Sequence, residues 1–159
     1  MGDQAIDLLC KWFTTHLKEL VIVWNFVEKV SKITDSGMLS FANTPNLSWL
    51  TFDFSRHFDK RAFNNLSLSL KNLEYLRFHS CPVQESLSPL VKGCPNLIEL
   101  DISGDSWIKA SLLQGISTHK TLQFLHLGHI EHSDMYCDKI NLTDYLDKVM
   151  DVSIILERS

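Results

Sequence analysis

Residues Leu97 to Ile102 read L-I-E-L-D-I and follow Gly93-Cys94-Pro95-Asn96. The stretch has the form L-x-x-L-x-L, and the same form returns on both sides of it. Leu47/Leu50/Phe52, Leu73/Leu76/Phe78 and Leu122/Leu125/Leu127 are clear copies, and Leu17/Leu20/Ile22 and Val149/Val152/Ile154 are weaker ones. First positions at 17, 47, 73, 97, 122 and 149 are 30, 26, 24, 25 and 27 residues apart. Self-similarity at such a period is the mark of a solenoid, in which each repeat buries its apolar side only against its neighbours.

Period-2 alternation within each copy predicts a short strand, with leucine-type residues pointing inward and the residues between them outward. The remainder of each period accommodates a turn, a helix and a return. Apolar residues at helical spacing place helices at about 35–43, 60–70, 84–93, 108–118 and 141–148. Pro89 falls inside the third, so that helix is expected to be short or to begin at the proline. Pro45 and Pro95 stand just before strands and stop the preceding helices. The ninth column of the repeats, where a side chain satisfies the turn leaving the strand, holds Asn25, Ser55, Cys81, Asp105, Ile130 and Glu157.

Ahead of the repeats, Ile6, Leu9, Cys10 and Phe13 fall on one face of a helix expected over 4–16, with Asp3 as its N-cap. Residues 1–16 are therefore expected to cap the apolar end of a solenoid spanning 17–159. Trp12 lies off that face, available to whatever precedes the solenoid in a longer protein. At the other end, strand 149–155 is followed only by Leu156 to Ser159. An uncovered edge invites association, so either a partner or second copy pairs there, or the chain is cut from a longer solenoid.

Composition narrows the function classes. The formal net charge of -4 over 159 residues is modest and the charges are interspersed, which argues against nucleic acid or an anionic membrane as partner. The start, MGDQAIDLLCKWF, has neither the pattern of a secretory signal nor that of a myristoylation site, and no run suits a membrane span. The four cysteines, Cys10, Cys81, Cys94 and Cys137, show no metal-type spacing and are expected as free thiols in a reducing compartment, cytoplasmic or nuclear. Asn46-Leu-Ser48, Asn65-Leu-Ser67 and Asn141-Leu-Thr143 match the glycosylation pattern formally, and turn chemistry of the repeats accounts for them instead.

The L-x-x-L-x-L copies resemble leucine-rich repeats over nearly the whole chain. Leu90-Val-Lys-Gly-Cys-Pro-Asn-Leu-Ile-Glu-Leu-Asp-Ile-Ser103 and Ile33-Thr-Asp-Ser-Gly37 are similar to the cysteine-containing repeats of F-box/LRR proteins and zyg-11-like substrate receptors. Related repeats also occur in small mitochondrial assembly factors. Lys71-Asn72 and Lys120-Thr121 replace the Cys-Pro-Asn entry in other copies, and the F-box itself does not occur in these residues. The resemblance implies an α/β leucine-rich-repeat solenoid, with about six parallel strands on the concave face and helices on the convex face. It also implies a non-catalytic protein-recognition module, such as the substrate-binding half of a ubiquitin-ligase receptor. A subunit or assembly factor of another multiprotein complex is the alternative.

On such a scaffold the outward strand residues form a grid facing the concavity. One row runs Glu19, Trp49, Tyr75, Glu99, Phe124 and Asp151; the next runs Val21, Thr51, Arg77, Asp101, His126 and Ser153; the last runs Val23, Asp53, His79, Ser103, Gly128 and Ile155. Trp49 and Tyr75 adjoin, Arg77 lies beside them, and Asp101 stands between Arg77 and His126. Aromatics and an arginine on a solvent-facing sheet have the composition of an interaction hot spot. The expected partner-binding set is Trp49, Thr51, Tyr75, Arg77, His79, Glu99, Asp101, Phe124 and His126. Trp107 and Phe58, in turns after strands, are expected to fold over the core.

Catalytic and metal chemistry find little support. His126, His129 and His132 with Asp134 and Cys137 are the only group suggestive of a metal, and their spacing does not imply tetrahedral convergence. His79 and His126 stand two strands apart in different rows. No nucleophile, zinc-protease or phosphate-loop motif occurs. Cys81 and Cys94 occupy structural repeat positions, and no isolated carboxylate pair suits acid/base work. The expectation is a protein partner with no cofactor, no metal and no enzymatic role.

Overall fold

The computed structural model describes residues 2–23, 34–53, 60–79, 84–102, 116, 118–127 and 153–156. Six strands, β1 (Glu19–Val23), β2 (Trp49–Asp53), β3 (Tyr75–His79), β4 (Glu99–Ile102), β5 (Phe124–Leu127) and β6 (Ser153–Leu156), form one parallel sheet in sequence order. The described helices are α1 (Asp3–Trp12), α2 (Asp35–Leu39, continued by a 3-10 turn over Ser40–Asn43), α3 (Lys60–Ser69) and α4 (Gln84–Gly93). They pack in a row, α1 on α2, α2 on α3 and α3 on α4. Strands stack ~4.8 Å apart, whereas helices need ~8–10 Å, so the helical side of each repeat is wider and the sheet lies on the concave side.

The core is the leucine column. Leu47, Leu73, Leu97 and Leu122 open their repeats and are buried, as are Leu50, Leu76, Leu100 and Leu125 one turn of the pattern later. Phe52 and Phe78 stack in the last inward column (centroids 5.3 Å apart), and Phe41 meets Phe52 edge-on at 5.9 Å. Each such side chain removed from water contributes about 1.5–3 kcal/mol.

Entry into each strand is also repeated. The carbonyl of Lys18 accepts from the N–H groups of both Ser48 and Trp49, and Ser48, Glu74 and Ile98 do the same for the next three strands, at 2.8–3.0 Å. Just before those strands an asparagine amide reaches back one repeat: Asn46 donates to Thr15 O, Asn72 to Pro45 O and Asn96 to Lys71 O, each at 2.9 Å. Thr121 replaces the asparagine in the next copy, and its hydroxyl donates to Pro95 O and Leu97 O. These side chains satisfy carbonyls that the turns would otherwise leave unpaired. The ladder also gives Asn46 a structural role.

Several local expectations are corrected. Helix α1 stops at Trp12, and the chain turns through Phe13 to Leu17 on bonds to Phe13 O. Ile6 and Cys10 are buried as expected, but Phe13, freed by the early stop, is exposed. Asp3 does not cap its own helix: Gly2 is the N-cap, without a side-chain bond. The Asp3 carboxylate instead accepts from Thr34 N and Thr34 Oγ1, both at 2.6 Å. Thr34 is the N-cap of α2 and accepts from Ser36 N, so Asp3 secures the start of the next helix rather than its own. Gly37 permits this, since a Cβ there would collide with the Asp3 carboxylate.

Pro89 lies inside α4 rather than at its start. Its missing N–H forfeits one helical bond, a loss offset by the burial of Leu90 and Val91 and by close approach to α3. That approach requires Gly93, whose added Cβ would lie 2.7 Å from Ser67 O. The last strand is displaced by two residues from its expected register: Ser153, not Asp151, aligns with Phe124, and Ile155, not Ser153, with His126. A two-residue slip leaves every side chain on the same face, so alternation alone does not distinguish the registers. The ninth column, Phe58, Trp107, the helix expected over 141–148 and all but residues 116 and 118 of that expected over 108–118 lie outside the described residues.

Candidate functional site

The outward strand positions meet as a grid because all five pairings from β1 to β6 are parallel and in register. Glu19, Trp49, Tyr75, Glu99, Phe124 and Ser153 are successive partners in one row, and Val21, Thr51, Arg77, Asp101, His126 and Ile155 in the next. A third row contains Val23, Asp53 and His79. Eight of the nine residues expected at the site have described side chains on this one face; His79 has its place in β3, and its side chain lies outside the description.

The centre of the face is aromatic. Trp49 and Tyr75 stack with centroids 3.6 Å apart and planes inclined by 18°, while Trp49 Nε1 donates to Thr51 Oγ1 at 3.2 Å. Trp49 nevertheless remains 40% exposed, and Phe124, two strands beyond Tyr75, 41%. Burial raises the Tyr75 phenol above its ordinary pKa, and the Asp101 and Glu99 carboxylates push the same way against the opposing influence of Arg77. It therefore stays protonated at neutral pH and can donate a hydrogen bond.

The charged residues are already paired in part. Arg77 Nε lies 3.2 Å from Asp101 Oδ2, with the arginine 41% and the aspartate 10% exposed. Asp101 was expected to sit between Arg77 and His126 as a polar centre. It is adjacent to both in register, but the ring of His126 turns to Glu99, with Nε2 3.2 Å from Oε1. A carboxylate one row away is reachable because diagonal neighbours on a sheet lie within range of long side chains.

Exposed apolar residues extend beyond the expected set. Val21 and Val23 on β1 are 49% and 66% exposed and continue the face past Trp49. Their signal was present as apolar residues at outward positions. Leu8 and Trp12, four residues apart on α1, form a separate exposed stripe, with Trp12 at 72%.

Among the described residues no three of His, Cys, Asp and Glu come together as metal ligands, and no helix is long and apolar enough to cross a membrane. His129, His132, Asp134 and Cys137 lie outside the described residues. Cys10 and Cys94 are free thiols in the core, and burial raises their pKa to about 11 and about 12. So few of these thiols ionise at neutral pH that neither is equipped as a nucleophile.

No protein-family model matches the sequence, and no curated protein does. Solved structures do. An internalin from Listeria monocytogenes superposes with a TM-score of 0.61 over 96% of this chain at 19% identity, the chain spanning 37% of the internalin's length. The tropomodulin C-terminal domain from Caenorhabditis elegans superposes with a TM-score of 0.64 over 94% of this chain and 90% of that domain, at 16% identity. At such identities the likeness concerns the fold alone. Together with the in-register parallel sheet and the leucine column, it establishes an α/β solenoid of the leucine-rich-repeat type.

Proposed function

We propose that this protein recognises other proteins, without catalysis, through the concave face of its sheet. The observation that carries the reading is the Trp49–Tyr75 stack, in which Trp49 remains 40% exposed on the outward face of an in-register parallel sheet. Tryptophan, tyrosine and arginine are enriched at interface hot spots, and the two aromatics present much surface at little conformational cost. Phe124, Val21 and Val23 enlarge the patch, and the sheet fixes its geometry before any partner arrives. Among the described residues, Cys10 and Cys94 are buried thiols, and Asp101 and Glu99 on the face lie against Arg77 and His126.

In its most specific form the reading is substrate or partner recognition in a ubiquitin-ligase-type assembly of the cytoplasm or nucleus, supported by the resemblance of Leu90–Ser103 and Ile33–Gly37 to cysteine-containing repeats. A second reading, a non-catalytic subunit or assembly factor, draws on β6, which ends the sheet order among the described residues and offers an edge for docking or self-association.

The test is a tagged pull-down with mass spectrometry on the wild type and on a folded Trp49→Ala/Tyr75→Ala/Phe124→Ala variant. Partners lost from the variant alone support recognition on this face. Ligase scaffold proteins among them favour the receptor version, and other stoichiometric partners the complex-subunit version. Partners retained by the variant would move the site to the β6 edge or the loops.

A further inference from the structure

The row that contains the stacked rings also carries a charge pattern. Its members in register are Glu19, Trp49, Tyr75, Glu99 and Phe124, so the aromatic pair has a carboxylate one strand away on each side, at a strand spacing of ~4.8 Å. Stacking covers one face of each ring, and the next members of the row are Glu19 on β1, on the outer side of Trp49, and Glu99 on β4, on the outer side of Tyr75.

The two flanks are not equivalent. Glu99 lies against the His126 ring and Tyr75 is half-buried, whereas Glu19 is exposed beside the most open ring of the pair. Arg77 does little to offset Glu19, because its guanidinium is held by Asp101 at 3.2 Å. Burial first, and then the carboxylates of Asp101 and Glu99, raise the Tyr75 phenol against the opposing influence of Arg77. An indole face is itself a weak cation acceptor through its quadrupole, and a carboxylate opposite it strengthens the attraction.

We propose that the occupant of this row is a lysine- or arginine-bearing segment of a partner protein, its cationic side chain seated between the Glu19 carboxylate and the free face of Trp49. The rest of the segment runs along the row towards Phe124. This inference rests on the protein-recognition reading above and adds the chemistry of the partner. Acidic segments and phosphate backbones are repelled by the same row.

The experiment is selection from a random dodecapeptide phage library on the full chain, followed by titration of synthetic versions of the enriched peptides. Wild type, Glu19→Gln, Glu19→Lys and Trp49→Ala/Tyr75→Ala are compared, with circular dichroism confirming that each is folded. Enriched peptides should be rich in Lys or Arg and bind more weakly at higher salt. They should lose a few-fold in affinity to Glu19→Gln and roughly tenfold or more to Glu19→Lys, where like charges meet. Neutral or acidic peptides that bind Glu19→Lys undiminished but fail on Trp49→Ala/Tyr75→Ala would overturn the cationic assignment and leave the binding face intact. Peptides that bind every variant equally, or no enrichment at all, would count against both.

Discussion

The two faces of the same strands obey different rules. On the inner face, Leu50, Leu76, Leu100 and Leu125 repeat with almost no variation, because each must fill the same gap between identical neighbours in the stack. On the outer face, one residue away, the corresponding sequence is Trp49, Tyr75, Glu99 and Phe124, or Thr51, Arg77, Asp101 and His126. Stacking constrains the first set and not the second. Variation on a rigid scaffold is therefore where recognition chemistry can be written without disturbing the fold.

The sharpest way to break this contrast is to truncate the inner face. Leu76→Ala removes a fully buried side chain from the middle of the stack and should cost about 2–5 kcal/mol, read as a lower urea midpoint. A loss below about 1 kcal/mol would mean that the column collapses around the cavity and is less demanding than its regularity suggests.

The inner face should also respond to alkali. Well below pH 9 the Cys94 thiol keeps its proton in both folded and unfolded chains. Between 9 and about 12 only the unfolded thiol ionises, because burial raises the folded one. The unfolded state then binds fewer protons, and stability falls as pH rises, by at most about 1.4 kcal/mol per pH unit for one thiol. Cys94→Ala should lose that part of the slope, measured by denaturation at stepped pH. An unchanged slope would show that this thiol is not protected by folding.

The smallest expected effect is on the outer face. A double-mutant cycle on Trp49 and Tyr75 should give a coupling of about 0.5–1.5 kcal/mol for the stacked rings, while each single alanine variant stays folded. A coupling several times larger would make the stack a structural element, weakening its claim as a binding surface.

The inner face was legible from periodicity, and so were the outward rows from β1 to β5, because a strand's alternation assigns every residue to one side. The deviations arise where local pattern permits more than one solution. The sequence alternation around Ile154 fits either of two registers, and pairing with β5 selected the one that places Ser153 beside Phe124. Asp3 has the right chemistry for a cap, but the N–H it serves belongs to Thr34, 31 residues away. Pro89 signals a helix start locally, yet packing against α3 carries the helix through it.

The sequence by itself determined that this chain stacks as a solenoid and which side chains face out of it, since both follow from short-range spacing. Only the tertiary structure decided how those outward residues meet. Trp49 spends one ring face on Tyr75, Arg77 commits its charge to Asp101, and His126 turns to Glu99 rather than to its register partner. These choices are made between strands some 25 residues apart in sequence, where distance and competing partners set the outcome, and no spacing along one strand encodes them.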